Sequence, residues 1–246
     1  MVQLPALTEV SAVVEEVEHR CRQSWELNIR VGAELPDAVA YCKRHDLTRL
    51  AIDLAIEHHR SLVRLVYAGE LGSGAALLRP LLEASTSAFW LLYAASDNQI
   101  LRLPEDPTIE ASSDDIPMLG EMAFALQPLF PKIAAIAEGL SRKGSGSARW
   151  LHKYTHGGTP QLMRRDRANS WTSSEALLTL RRSDIFLIVG ASVEAALQPD
   201  SSFADFIYSQ RDRVGEEIMD ALGAPPIPTQ PRHPAPPTAC IGPAMF

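Results

Sequence analysis

One segment of the chain, from Ala75 to Ser96, is apolar on nearly every side of the helix that its spacing predicts. Its large apolar side chains are Leu77, Leu78, Leu81, Leu82, Phe89, Trp90, Leu91 and Leu92. A helix without a polar face has to lie inside a larger fold, where neighbouring elements cover it. Since 46% of the 246 residues are hydrophobic, the chain can build such a core. Pro80 lacks a backbone donor, so we expect the helix to kink or restart near Arg79.

Apolar residues at helical spacing predict further helices on both sides of this segment. The predicted ranges are about 7–30, 37–70, 118–140, 174–197 and 203–222. The second is one long helix or two short ones end to end, and the third is interrupted around Pro128 and Pro131. Gly69, Gly72 and Gly74 are predicted to end the second helix, and the Pro-, Ser- and Asp-rich stretch 97–116 is predicted to be a loop. No stretch alternates as a strand would. The sequence therefore predicts an all-α protein with one helical-bundle domain over residues 1–222.

The composition changes at Gly223 to a Pro-rich sequence. Proline cannot continue a helix, and the stretch has too few large apolar residues for a core of its own. We therefore expect residues 223–246 to form a disordered tail.

Charge and cysteine content narrow the class of protein. The formal net charge of -7 excludes a protein that coats nucleic acid with its whole surface. The three cysteines, Cys21, Cys42 and Cys240, are widely spaced and suggest neither a disulfide framework nor a zinc knuckle. No apolar segment is long enough to span a bilayer. These features indicate a cytoplasmic protein with no membrane partner.

The stretch RWLHKYTHGG, from Arg149 to Gly158, carries the clearest candidate chemistry. Arg149 and His156 are almost two helical turns apart, so on one helix they would point the same way at about 10 Å along the axis. A guanidinium steadies phosphate charge, and an imidazole moves a proton near neutral pH. The two glycines are predicted to end the helix at His156. The pair is therefore a candidate site for cutting a phosphodiester, and an ordinary helix end is the alternative.

A basic block surrounds this pair. From Arg142 to Arg182 there are nine basic residues and two acidic ones in a chain that is acidic as a whole. This imbalance favours a local anion site over a global one.

Two further features of this stretch, its histidine spacing and Tyr154, each allow more than one interpretation. His152 and His156 have a spacing that can bind a metal from one helix face, with His58 and His59 as possible further ligands. No spacing links these groups, so the prediction is that the site needs no metal and no cofactor. Tyr154 is expected to pack in the core, and contact with a nucleotide is its second possible role.

Arg79 and Glu83 lie one turn apart in the most apolar helix of the chain. Unpaired charges there would be costly, so we expect them to pair with each other or with a polar group inside the bundle. Either residue could also support the site at Arg149 and His156.

The Arg149 and His156 arrangement, in a chain of predicted helices, resembles the signature of the HEPN superfamily, in which His follows Arg after four to six residues. Three segments resemble an uncharacterised group of small bacterial helical proteins associated with that superfamily. They are EHHRSLVRLVY at 57–67, LLRPLLEASTSAFWLLY at 77–93 and LHKYTHGGTPQL at 151–162. The resemblance covers about residues 45–200.

This resemblance implies a HEPN-like bundle of four or five core helices, usually a homodimer whose two motifs face each other across a cleft. Many members are metal-independent endoribonucleases, often toxins with an antitoxin partner or phage-defence effectors. Here Arg149 would hold the scissile phosphate of RNA and His156 would act as general acid or base. The position after the Arg is commonly polar in active members and is Trp150 here. The alternative is a non-catalytic helical module that binds a protein partner or a small anionic ligand.

Overall fold

A computed structural model of the chain describes residues 12–36, 42–103, 116–130, 151, 153–166 and 171–222. At 12–14, 160 and 215–222 it describes the backbone alone. All regular structure in these ranges is helical, and none of the described residues lies in a strand. The predicted all-α class is confirmed. The predicted tail, 223–246, lies outside the described residues.

The described residues form nine α-helices. They are α1 (Ala12–Glu34), α2 (Lys43–Tyr67), α3 (Leu71–Ala76), α4 (Leu78–Phe89), α5 (Asp97–Arg102), α6 (Leu119–Leu126), α7 (Thr159–Met163), α8 (Ser173–Leu197) and α9 (Ser202–Leu222). A π-helical turn, Trp90–Ala94, follows α4 directly. A further helical stretch ends at Thr155. Within the described ranges, no helix has the length and apolar character needed to cross a membrane.

The apolar helix predicted from the sequence is the centre of the bundle. α4 packs against α2 and α8, α1 packs across α2 and α8, and α9 covers α8. Phe89 and Leu92 are completely buried. The α4 and α8 backbones approach closely at Gly190, where an added β-carbon would lie 2.9 Å from the Ser85 hydroxyl oxygen. The Ser85 hydroxyl donates to the Phe186 carbonyl at 2.8 Å, so the contact has no unsatisfied donor.

The region from Ala75 to Ser96, predicted as a helix that kinks or restarts near Arg79, is divided among α3, α4 and a π-helical turn. The break falls at Leu77, and Pro80 lies in the first turn of α4, where its missing N–H is not needed. The predicted restart near Arg79 is thereby confirmed. Gly72 and Gly74 lie inside α3 and do not end a helix.

The predicted loop from 97 to 116 is also wrong at its start, where α5 forms. Ser96 caps this helix: its hydroxyl accepts from the Gln99 backbone N–H at 3.3 Å, and the Gln99 side chain accepts from the Ser96 backbone N–H at 2.9 Å. This reciprocal pair satisfies two donors that a short helix would leave exposed. α6 ends at Leu126, and residues 131–140 of its predicted helix lie outside the described residues.

Candidate functional site

His156 lies exposed at the C-terminal end of a helical stretch, as the sequence predicted. Gly157 has a φ of +61°, and the Gly158 backbone N–H donates to the Lys153 carbonyl at 2.7 Å. This left-handed glycine and the hydrogen bond from Gly158 back to Lys153 form a Schellman motif, with His156 as the C-cap residue. Gly158 also has to be small, because a β-carbon there would lie 3.0 Å from the Lys153 carbonyl oxygen. The two glycines therefore fix where the helix ends and where the imidazole stands.

Three residues of the motif lie outside the described residues: Arg149, Trp150 and His152. The facing of Arg149 and His156 stays a prediction from their spacing. The helical conformation of Leu151 and of residues 153–155 is the part of the expected helix that the structure describes.

The helix end before His156 is anchored on α3. The Thr155 hydroxyl donates to the Ala76 carbonyl at 3.2 Å. The side-chain amide of Gln161 donates to the Tyr154 carbonyl at 2.7 Å and to the Gly72 carbonyl at 3.1 Å. One side chain thus joins the helix end that carries His156 to the second residue of α3.

Tyr154 packs in the interior, as predicted. Its side chain is only 1% exposed, and its ring lies 5.2 Å from the Trp171 ring, centroid to centroid. A buried ring has no face for a base, so Tyr154 contributes to a site here by holding Trp171.

A cavity of about 520 Å³ opens between α3 and the segment that follows His156. We call it the Gln161 cavity. Its lining residues are Gly69, Glu70, Leu71, Gly72, Ser73, Gln161, Arg164, Arg165 and Trp171. The volume is in the range of sites that bind small molecules. Because Gln161 also bonds to the Tyr154 carbonyl, the cavity and the His156 helix end belong to one local structure.

The described residues of the basic block differ in exposure and in their ion pairs. The Arg164 guanidinium bonds to the Glu175 carboxylate and lies over the Trp171 ring, with its carbon 5.4 Å from the ring centroid. Arg165 and Arg181 are exposed, whereas Arg182 is half-buried and burial lowers its pKa. Arg142, Lys143 and Arg167 are outside the described residues. Of the described members, Arg165 is the exposed guanidinium at the cavity.

Arg79 and Glu83 form an ion pair with each other, which is one of the two predicted alternatives. The Arg79 Nε lies 2.8 Å from Glu83 Oε1, and the two side chains are 22% and 38% exposed. They are therefore less buried than the apolar sequence around them suggested, because this part of α4 faces outward. Thr155 contacts Ala76, which lies three residues before Arg79. Contact of His156 with the Arg79 and Glu83 pair stays a prediction.

The described part of the chain assembles no metal site, and His152 lies outside it. Among the described residues no group of three His, Cys, Asp or Glu side chains lies close enough to hold a metal ion. Both ring nitrogens of His59 are engaged in hydrogen bonds within the core, so its suggested role as a ligand is wrong. His58 is half-buried, and burial lowers its pKa.

A buried polar network, which sequence reasoning missed, centres on Asp184 of α8. Its carboxylate accepts from Arg20 at 2.6 Å and from Ser24 at 3.0 Å, both on α1, and it lies 2.9 Å from Nε2 of His59 on α2. All four side chains are buried. A carboxylate can only accept, so Nε2 carries the proton and donates. Asp184 therefore ties three helices together through one acceptor group.

The network continues from His59 to the surface of the bundle. The Asn28 amide nitrogen donates to the Ile56 carbonyl at 2.9 Å and lies 3.1 Å from His59 Nδ1, which accepts when Nε2 is the donor. Arg60 Nε donates to the Asn28 oxygen at 3.0 Å. Each of these residues has a hydrogen-bonding partner, although the Nε of Arg20 is buried without one among the described residues. None of them lines the Gln161 cavity, so we assign this network to the stability of the fold.

A second concavity, between α1 and α2, is lined almost entirely by carbon. It measures about 480 Å³ and includes Cys21, Trp25, Val63 and Tyr67 among its lining residues. Burial, with a smaller effect of Asp184, raises the pKa of Cys21 to about 12. The thiol therefore stays protonated near neutral pH and is not a nucleophile.

Comparison with family models places residues 52–215 in DUF6988, described as a family of unknown function. The chain belongs to this family. The match includes most of α2, the central helices, the His156 helix end and the Gln161 cavity. No curated protein matches the chain, and no solved structure matches it.

Proposed function

We propose that this protein is a metal-independent endoribonuclease in which Arg149 and His156 act on one phosphodiester. The observation that carries the proposal is an exposed imidazole, set by a Schellman motif at a helix end, beside a cavity that also presents an exposed guanidinium. An imidazole at such a position is open to a polymer as large as RNA. The HEPN-like spacing of Arg149 and His156 would bring together a guanidinium that binds phosphate and an imidazole that transfers a proton.

The proposed reaction is attack of the RNA 2'-oxygen on the adjacent phosphorus. The bond from phosphorus to the 5'-oxygen breaks, and the products are a 2',3'-cyclic phosphate and a free 5'-hydroxyl. The 2'-hydroxyl loses a proton and the 5'-oxygen gains one, and His156 serves one of these transfers as base or acid. Arg149 would hold the phosphate oxygens as negative charge builds on them.

The position of His156 at a helix C-terminus leaves its imidazole exposed, where a substrate can reach it. In the HEPN proteins that this motif resembles, the active unit is usually a homodimer. The proposal therefore includes two copies of the chain whose motifs face one cleft.

The test is cleavage of mixed cellular RNA by purified protein with EDTA present. We expect the wild type to release fragments with cyclic phosphate ends, and we expect His156→Ala and Arg149→Ala to lose at least a hundredfold in rate. His19→Ala is the matched control, because His19 is an exposed helical histidine of α1. Equal cleavage by wild type and His156→Ala, or no cleavage by any variant, would contradict the proposal.

A further inference from the structure

The Gln161 side chain has a defined orientation. Its amide points toward two backbone carbonyls, those of Gly72 and Tyr154, and only the nitrogen of an amide can donate to both. The other terminal atom of the Gln161 side chain is therefore the amide oxygen, Oε1. Among the described residues no donor bonds to this oxygen, so the Gln161 cavity contains an unused acceptor.

A donor without a described partner, the indole N–H of Trp171, also lies close to Gly72. Measured from the point where a β-carbon on Gly72 would lie, Gln161 Oε1 is 3.4 Å away and Trp171 Nε1 is 3.7 Å away. The indole N–H makes no hydrogen bond to any described residue. Tyr154 and Arg164 contact the indole ring and hold it in this position. The floor of the cavity thus presents one acceptor and one donor around a glycine that leaves room for a ligand.

An acceptor and a donor in the lining of one cavity have the chemistry to pair with the hydrogen-bonding edge of a nucleobase. The Watson–Crick edge of each RNA base carries a donor next to an acceptor, and in a duplex both are taken by the paired base. The edge is available only in unpaired RNA, which is the form that proteins read by base contacts. The pair formed by Gln161 and Trp171 therefore favours an unpaired base over a paired one.

The charges at the rim fit the rest of a nucleotide. Arg165 is exposed, and its guanidinium forms no ion pair or hydrogen bond with any described residue. A guanidinium of this kind binds phosphate oxygens in a bidentate manner. Glu70, also exposed at the rim, repels phosphate but accepts from the 2'-hydroxyl or from a base amino group. The two charges give a bound nucleotide one orientation, with its phosphate toward Arg165.

We infer that the Gln161 cavity binds one unpaired nucleotide of single-stranded RNA, with the base edge on Gln161 and Trp171 and a phosphate on Arg165. The inference rests on the proposed function for the choice of RNA. It assigns the cavity the role of a positioning subsite, which holds the chain while His156 acts on a neighbouring phosphate.

The test measures binding apart from cleavage. The full chain carrying His156→Ala is titrated with a fluorescent ten-nucleotide RNA, either single-stranded or annealed to its complement, and anisotropy gives the affinity. We expect the single strand to bind at least tenfold more tightly than the duplex. Adenosine monophosphate is a third ligand, and we expect it to bind much more weakly because it lacks neighbouring phosphates.

Two substitutions address the two halves of the subsite. Arg165→Gln should weaken single-strand binding about tenfold and lower the salt dependence by about one phosphate contact. Trp171→Phe keeps a ring but removes the N–H, and it should weaken binding about fivefold. Arg102→Gln is the matched control. Arg102 is an exposed arginine on α5, near the opposite end of α2 from the cavity.

The outcomes separate this inference from the proposed function. Equal binding of duplex and single strand, or unchanged affinity in both Arg165→Gln and Trp171→Phe, would overturn the subsite. Tighter binding of the mononucleotide than of the single strand would also overturn it. Arg165 is exposed, so its variant reports on binding even if the Trp171 variant folds poorly. If the subsite variants lose affinity while the wild type cleaves no RNA, the nuclease proposal fails and the subsite stands.

Discussion

Removing the Asp184 carboxylate should destabilise this protein more than any change at its surface. The carboxylate is 1% exposed and accepts hydrogen bonds from Arg20, Ser24 and His59. Asp184→Ala takes away the counter-charge of a buried guanidinium together with the acceptor for two further donors. Asp184→Asn keeps the volume but replaces one acceptor oxygen by a donor.

The size of the effect follows from these contacts. Breaking a buried ion pair by removing one partner costs about 3–5 kcal/mol. A buried donor left without an acceptor costs about 1–3 kcal/mol, but these costs do not add because the donors share one carboxylate. We therefore expect Asp184→Ala to lower the free energy of unfolding by about 4–5 kcal/mol and Asp184→Asn by about 3 kcal/mol. Because native domains are stable by only about 5–15 kcal/mol, the Ala variant should be close to unfolding.

Urea unfolding followed by circular dichroism measures both variants. A double-mutant cycle that combines Arg20→Met with Asp184→Asn isolates the pair, and we expect a coupling energy of about 2–3 kcal/mol. The pair of Arg79 and Glu83 on α4 is the control, because it lies at the surface with the same short Arg-to-carboxylate geometry. The double-mutant cycle of Arg79 and Glu83 should give a coupling energy of about 0.3–0.5 kcal/mol.

Two results would refute this reasoning. A loss below about 1 kcal/mol in Asp184→Ala would mean that the carboxylate does not hold the helices together. Equal coupling energies in the two cycles would mean that burial does not strengthen the Asp184 pair. Either result would leave the packing of α4 as the main source of stability.

Two further predictions concern the helix end and the pH dependence of folding. Gly157→Ala forces an L-residue to a φ of +61° and should cost about 1–2 kcal/mol, seen as a lower melting temperature, whereas Lys153→Ala should change it little. Burial raises the pKa of Glu194, so the folded chain retains a proton that the unfolded chain releases. Stability should therefore fall as pH rises from the usual range of Glu through the raised pKa, and in urea titrations Glu194→Gln should remove this part of the pH dependence. A pH dependence that is the same in both proteins would count against this assignment.

Much of the fold could be predicted from the sequence because helical periodicity reports burial directly. α8 and α9 begin and end within one residue of their predicted ranges, since each carries a clear apolar pattern between polar ends. The errors at α3 and α5 have local causes. Gly74 lies inside α3 because α2 packs closely against it. The cap that starts α5 is a side-chain contact within a stretch rich in turn residues.

The candidate site was predictable only where one short segment carries it. The glycines after His156 indicated a helix end, and the structure forms that end. The cavity was not predictable, because Gln161, Trp171 and Gly72 come from separate segments and meet only through tertiary packing. Asp184 gave a weak signal as an acid directly before the most apolar stretch of the chain, but its partners are 125 to 164 residues away.

The separation between the buried network and the cavity makes the functional proposals testable. His59 and Gly69 are ten residues apart, and α2 extends over most of that distance, so the two regions lie about 15 Å apart along its axis. The network stabilises the middle of α2, whereas the cavity begins after this helix has ended. Substitutions at Arg165 and His156 alter exposed side chains and leave the Asp184 contacts intact. A loss of RNA binding or cleavage in those variants would therefore report on the site, and unfolding would show separately in the stability of the same proteins.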